Sequence, residues 1–255
     1  MRHLILFIAL TIAGCASQQS SAAPYPAPES LTEAAVAIDE VLAEAASSGR
    51  LAMLVLGANW CHDSTDFAAM IEQPELAAWL GEHYVIRLFN IGYLDHIRDY
   101  LAPFGVPVIY GTPTVLVVDP GNRQLLNPVQ HYYWRNASKL TASDARTYFS
   151  AYFEKAPPAE APSRELQDAL DRIDAFEASQ AERIYRAYAV LGPLLQAVEE
   201  GGDGAEFQKK WVNLAKMRGS ITGDLQRLRE SAREQDAAGA GPIQLDFPDY
   251  PLFID

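Results

Sequence analysis

The sequence predicts an α/β domain, a sheet flanked by helices, followed by a small C-terminal helical bundle. Three features carry this reading. Short apolar runs at Leu51 to Leu56, Tyr84 to Phe89 and Val115 to Val118 alternate with stretches whose apolar residues recur at helical spacing. A segment rich in proline and alanine, Lys155 to Ser163, then interrupts the chain. Beyond it the strand pattern disappears and only the helical period remains.

In chain order, Met1-Arg2-His3 precedes the apolar run Leu4 to Ile12, which is short for a membrane span and charged at its start like a secretory signal. The run ends in Ile12-Ala13-Gly14-Cys15, which resembles the bacterial lipobox. That resemblance implies a signal peptide over residues 1–14 and a lipid anchor on Cys15, whose two or three acyl chains would hold durably to a membrane. Ala16 resembles the pattern sorted to an outer membrane, facing the periplasm. An uncleaved tail, or an ordinary signal cleaved elsewhere, is the alternative. Residues 15–29 are too poor in apolar side chains for a core and read as a flexible tether with polyproline character.

Ser30 with Glu33 forms a capping box, and Leu31, Ala34, Ala35, Ile38, Val41, Leu42 and Ala45 mark the helix it opens, which ends near Gly49. The strand through Leu56 is apolar on both faces, as a central strand should be. After a helix from Cys61, Pro74 either kinks that helix or begins another at its first turn. Leu94, Ile97, Arg98 and Leu101 outline a further helix before Pro103. Val115 to Val118, the Pro120-Gly121 turn and Gln124 to Leu126 read as a hairpin. Thr141 caps the helix that closes this first domain, residues 30–155. His131 to Trp134 form an aromatic cluster expected to pack on the sheet.

After the linker at 156–163, residues 164–241 suggest three or four helices. The first would be a long one bent near Gly192-Pro193. Phe207 to Met217 and Leu225 with Leu228 would be separate helices, and residues 242–255 an extended tail.

The chemistry gathers at Trp60-Cys61-His62-Asp63-Ser64. Gly57, Ala58 and Asn59 supply a turn between strand and helix, so Cys61 stands at the helix start, where free backbone N–H groups and the helix dipole favour an anion such as a thiolate. With Cys15 lipidated, Cys61 is the one thiol left, and a lone accessible thiol in an oxidising compartment asks for a reason. A half-buried, inert cysteine is the plain alternative.

Together with Gly111-Thr112-Pro113-Thr114 before the strand at Val115, this stretch resembles the thioredoxin superfamily over roughly residues 30 to 155. The resemblance implies a thioredoxin-like sheet, a cis-proline loop at Pro113 presenting the Thr112 backbone to a bound peptide, and Trp60 shielding the thiol. Two departures matter. Ser64 stands where the resolving cysteine belongs, and Val55 stands where many thioredoxins bury an aspartate.

A mixed disulfide on Cys61 would then need an outside thiol, or another thiol of the client, for release. Ser64 is expected to donate a hydrogen bond to the thiolate, and His62, placed as a histidine is in protein disulfide isomerases, to favour the thiolate when charged.

With 33 acidic against 20 basic residues and a net charge of −13, nucleic acid and anionic lipid surfaces are poor partners. No cofactor is implied, and Cys61 with His62, His83, His96 or His131 makes no defensible metal set. The expected function is monothiol exchange with cysteine-containing envelope proteins or small thiols. The other is a binding or scaffold lipoprotein that keeps the fold without redox chemistry.

Overall fold

A computed structural model of the chain describes residues 23–95, 97–153, 161–239 and 241–251. Cys15, the signal segment, the first part of the tether and His96 lie outside the described residues.

Strand β1 (Leu51–Gly57) is the centre of the sheet. It pairs in parallel with β2 (Tyr84–Asn90), Leu51 opposite Tyr84, and antiparallel with β3 (Thr114–Asp119), Ala52 opposite Val118. A short β4 (Gln124–Leu125) completes the order β2-β1-β3-β4. Alternate residues of β1 and β3 feed two cores, as the two-residue period of a strand requires. Leu54, Leu56, Leu116 and Val118 face one side, and Met53, Val55, Val115 and Val117 the other.

The first face is covered by α1 (Leu31–Ser48), which carries the Ser30–Glu33 capping box and ends at Gly49 in the left-handed region. The second is covered by α2 (His62–Ile71), α3 (Pro74–His83, with Pro74 in its first turn) and α5 (Ala142–Ser150, capped by Thr141 with Asp144). A short α4 (Ile97–Leu101) runs into a 3-10 turn at Ala102–Phe104. A mixed sheet of this order, flanked by helices and with the Thr112–Pro113 peptide cis just before β3, is a thioredoxin-like arrangement.

On the second face Trp134 is fully buried, stacked on Phe149 at 5.3 Å and tilted against Phe67 at 5.0 Å. His131 is buried nearby with Nδ1 2.8 Å from the Pro128 carbonyl, which makes Nδ1 the protonated nitrogen, while Nε2 has no hydrogen-bond partner among the described residues. Burial above all holds this imidazole below the ordinary histidine value, with the Arg229 charge acting the same way, although the Pro128 bond and Glu177 oppose them. The native ring therefore stays neutral as pH falls through about 6.5, where the unfolded chain takes up a proton, so stability drops with falling pH by up to about 1.4 kcal/mol per unit. His131→Gln should flatten that decline. Urea unfolding of both proteins at about pH 7.5 and about pH 5.5 measures it.

Past residue 160, two helices among the described residues stand where three or four were expected. α6 (Arg164–Glu199) runs without interruption through Pro193, and α7 (Ala205–Ala237) through Gly219 and Gly223. A glycine inside a helix costs about 1 kcal/mol. Both glycines lie on the exposed side, and the stripe Leu214, Met217, Ile221, Leu225 and Leu228 continues unbroken beneath them, so burial outweighs that cost.

This helical hairpin packs on the first sheet face. Gly192 permits a close approach there, because a Cβ would lie 2.3 Å from the Tyr93 carbonyl oxygen. The Tyr188 hydroxyl donates to the Ile109 carbonyl at 2.7 Å, and the Tyr110 hydroxyl donates to buried Glu177, which also pairs with Arg229. Residues 241–251 run without regular structure along the hairpin. Phe247 lies against Phe176, and Arg183 donates to the carbonyls of Tyr250 and Pro251.

Candidate functional site

β1 ends at Gly57, and the Cys61 N–H donates to the Ala58 carbonyl at 3.1 Å, closing the turn that delivers Cys61 to the N-cap of α2. Its thiol is free and half-buried. The Thr112 hydroxyl donates to Cys61 Sγ at 3.1 Å, and Sγ lies 3.5 Å from the Thr112 carbonyl oxygen. The strand-to-helix turn and the loop before β3, about fifty residues apart in the chain, thus meet at one sulfur.

Ser64 does not play the part expected of it. It is fully buried on α2, its hydroxyl makes no well-formed hydrogen bond among the described residues, and the donor to Sγ is Thr112 instead. Ser64 faces Tyr25, whose hydroxyl donates to the Ser64 carbonyl at 3.4 Å. Burial pushes the Tyr25 phenol well above the ordinary tyrosine value; the Ser64 side chain works against this and the neighbouring Cys61 adds to it. The phenol therefore stays protonated and remains a donor.

Tyr25 also corrects the tether. Residues expected to be flexible up to position 29 are fastened to the sheet from about position 25. The Tyr25 N–H donates to Asn59 Oδ1 at 3.0 Å, and Asn59 Nδ2 returns a bond to the Tyr25 carbonyl at 2.9 Å. Asn90 donates to the Pro26 carbonyl, and Arg87 pairs with Glu29. The reason is a slot left by the absent side chain of Gly57, where a Cβ would lie 2.4 Å from Tyr25 Oη. A buried aromatic ring and a reciprocal pair of hydrogen bonds outweigh the entropy of the strap.

His62 turns outward. Its Nε2 lies 3.2 Å from Asp63 Oδ2, and the imidazole is largely exposed. Asp63 is held in turn by the backbone N–H and the hydroxyl of Ser138, at 2.9 and 2.7 Å. The imidazole is thus engaged by a carboxylate beside it.

Trp60 donates from Nε1 to the Gly92 carbonyl at 2.9 Å and meets Trp211 of α7 edge-on, ring centroids 6.4 Å apart. Trp211 stacks on Phe207 and lies under the Arg218 guanidinium, 4.7 Å from its ring centroid. The hairpin therefore supplies the second wall of a cleft of about 550 Å³, whose lining includes Cys61, Thr112, Arg135, Trp211 and Arg218.

Sequence reasoning missed that wall, although Arg218 carried a signal: a cation four residues after Leu214 and seven before Leu225 lies on the buried stripe of α7. Tyr25 and Arg135 offered none. Among the described residues no group of three or more His, Cys, Asp or Glu side chains is arranged to hold a metal ion. His83 is packed with Trp79 and Phe153.

No protein-family profile matches the chain, and no curated protein matches its sequence. A solved structure described as a disulphide isomerase from Xylella fastidiosa Temecula1 is similar to it, with 22% identity and a TM-score of 0.46, covering 51% of this chain and 97% of that one.

Proposed function

We propose that this protein performs thiol–disulfide exchange with Cys61 as a lone nucleophile, on cysteine-containing proteins or small thiols of a bacterial cell envelope, tethered there through Cys15. One observation carries the reading: Cys61 Sγ lies at the open end of α2, half-exposed, with the Thr112 hydroxyl 3.1 Å away and donating to it. The thiolate is the species that attacks a disulfide, and this geometry leaves the sulfur within reach of one beside a polar loop.

The Cys61 thiolate attacks one sulfur of a client disulfide. A bond forms between Cys61 Sγ and that sulfur, the client's own S–S bond breaks, and the second client sulfur leaves as a thiolate. No net oxidation occurs. Release requires a thiolate from the client or from a small thiol to attack the mixed disulfide and return Cys61 to its starting state. The Thr112 backbone and Pro113 would hold a client segment by short strand-like pairing, with Trp60 on its flank. Asp63 keeps the His62 ring beside the mouth of the site.

A second reading, a binding or scaffold module without redox chemistry, draws on the buried serine at position 64 and the apolar Val55. Trapping separates the two. Envelope fractions run on non-reducing gels should contain covalent partners of the wild-type protein that vanish with Cys61→Ser. If the wild type forms none, and purified protein gives no adduct with a disulfide peptide by mass, the exchange reading fails and the binding module stands.

A further inference from the structure

The cleft beside Cys61 has a property that disulfide exchange by itself does not require. Two arginines line it, and neither has a carboxylate partner among the described residues. Arg218 is 7% exposed; one guanidinium nitrogen donates to the Tyr188 hydroxyl at 3.1 Å, while Nε is buried with no hydrogen-bond partner among the described residues. A buried cation with an unmade hydrogen bond is costly unless something meets it. Arg135 lies over the Tyr132 ring at 5.2 Å and makes no ion pair among the described residues. Burial first, and the Arg218 charge besides, hold Arg135 below the ordinary arginine value against the opposing Tyr132 phenol, and no acid offsets them.

Both cations are positioned by neighbours of the reactive sulfur. Arg135 packs on Gly111, where a Cβ would lie 2.6 Å from Arg135 Cβ, and the next residue, Thr112, bonds to Cys61 Sγ. Arg218 lies on Trp211, which meets Trp60, the residue before Cys61. The acids that line the cleft leave this pair unopposed: Asp63 is engaged by Ser138 and His62, and Glu199 is an exposed residue with no ion pair to either arginine. In a chain of net charge −13, two cations lining one cleft with no carboxylate partner among the described residues are a local exception.

We infer that Arg135 and Arg218 form an anion subsite for a carboxylate carried near the reacting sulfur, so that the substrate class of Cys61 is a carboxylate-bearing thiol or disulfide. This rests on Cys61 being an exchange nucleophile. The carboxylate accepts charge-assisted hydrogen bonds from the guanidinium groups and brings its disulfide within reach of Sγ. Binding changes no oxidation state, and the exchange step balances as above.

The test compares rates of mixed-disulfide formation with dithiodipropionate, neutral hydroxyethyl disulfide and cationic cystamine. Each rate is divided by that of a small free thiol with the same reagent. The wild type should favour the diacid over the neutral disulfide by on the order of tenfold at low salt, and cystamine should be slowest, with the preference fading as salt rises. Arg135→Gln and Arg218→Gln should each remove most of that preference, while Arg218→Lys, which keeps the charge, should retain part of it. Far-ultraviolet circular dichroism confirms that each variant is folded.

A disulfide peptide with Glu beside its cysteine, compared with its Gln counterpart, tells a peptide carboxylate from that of a small molecule by which substrate shows the larger preference. Equal normalised rates for acid, neutral and cationic reagents, unmoved by either glutamine variant, would overturn the subsite and leave the exchange reading intact. If none of the disulfides reacts, the nucleophile itself is lost, and the subsite with it.

Discussion

Ser64→Cys should shorten the life of any mixed disulfide formed on Cys61. On the proposed mechanism, a mixed disulfide on wild-type Cys61 waits for a thiol of the client or for a small thiol. The side chain at position 64 lies three residues along α2 from the N-cap, on the same buried flank, beside the Tyr25 phenol. Its hydroxyl makes no well-formed hydrogen bond there, so a thiol in its place gives up little.

The new thiolate would attack Cys61 Sγ, expel the client thiolate and close an internal disulfide with loss of two hydrogens. An attack within one molecule gains over one between molecules through its effective concentration, so adduct lifetime should fall on the order of a hundredfold or more. Acid quenching over time, followed by mass measurement, gives the lifetime and detects the internal disulfide. Ser64→Ala should keep the long-lived adduct. Equal lifetimes in Ser64→Cys and wild type would mean that position 64 does not reach the sulfur.

Trp134→Ala should cost the most stability of any single truncation on the second face of the sheet. The ring is fully buried, stacked on Phe149 and packed on Phe67 beneath α2. Removing a buried tryptophan side chain from a packed core costs about 3–5 kcal/mol. Its indole N–H has no hydrogen-bond partner among the described residues, so part of the ring's burial is already offset by an unmet donor. Trp134→Phe keeps most of the hydrocarbon and removes that donor, and should lose less than about 1.5 kcal/mol. Midpoints of urea unfolding followed by circular dichroism decide this. Equal losses in the two variants would show that the ring's packing is not what matters.

The sheet and the placing of Cys61 were legible because each has a local cause. The run Leu51 to Leu56 has nowhere to go but a buried strand, Gly57 to Asn59 make a turn, and Thr141 announces a helix start. The partners of Cys61 were legible only in part. Thr112 and Pro113 came from the resemblance, but that the Thr112 hydroxyl, not Ser64, bonds to the sulfur depends on side-chain directions set by packing. Tyr25 was hidden because its segment has the composition of a tether, and only the slot at Gly57 gives it a place. The two long helices were obscured by Pro193, Gly219 and Gly223, whose local cost is overridden by stripes that match across the hairpin.

That hairpin brings one more consequence. α6 extends on the order of 50 Å, and its end meets the start of α7 through residues 200–204, close to the tryptophan edge that borders Cys61. Val198, Glu199 and Phe207, on either side of that turn, line the same cleft as the sulfur. Whatever reaches Cys61 from the cleft is therefore met by two walls, one from the sheet domain and one from the helices, and its fit must answer to both.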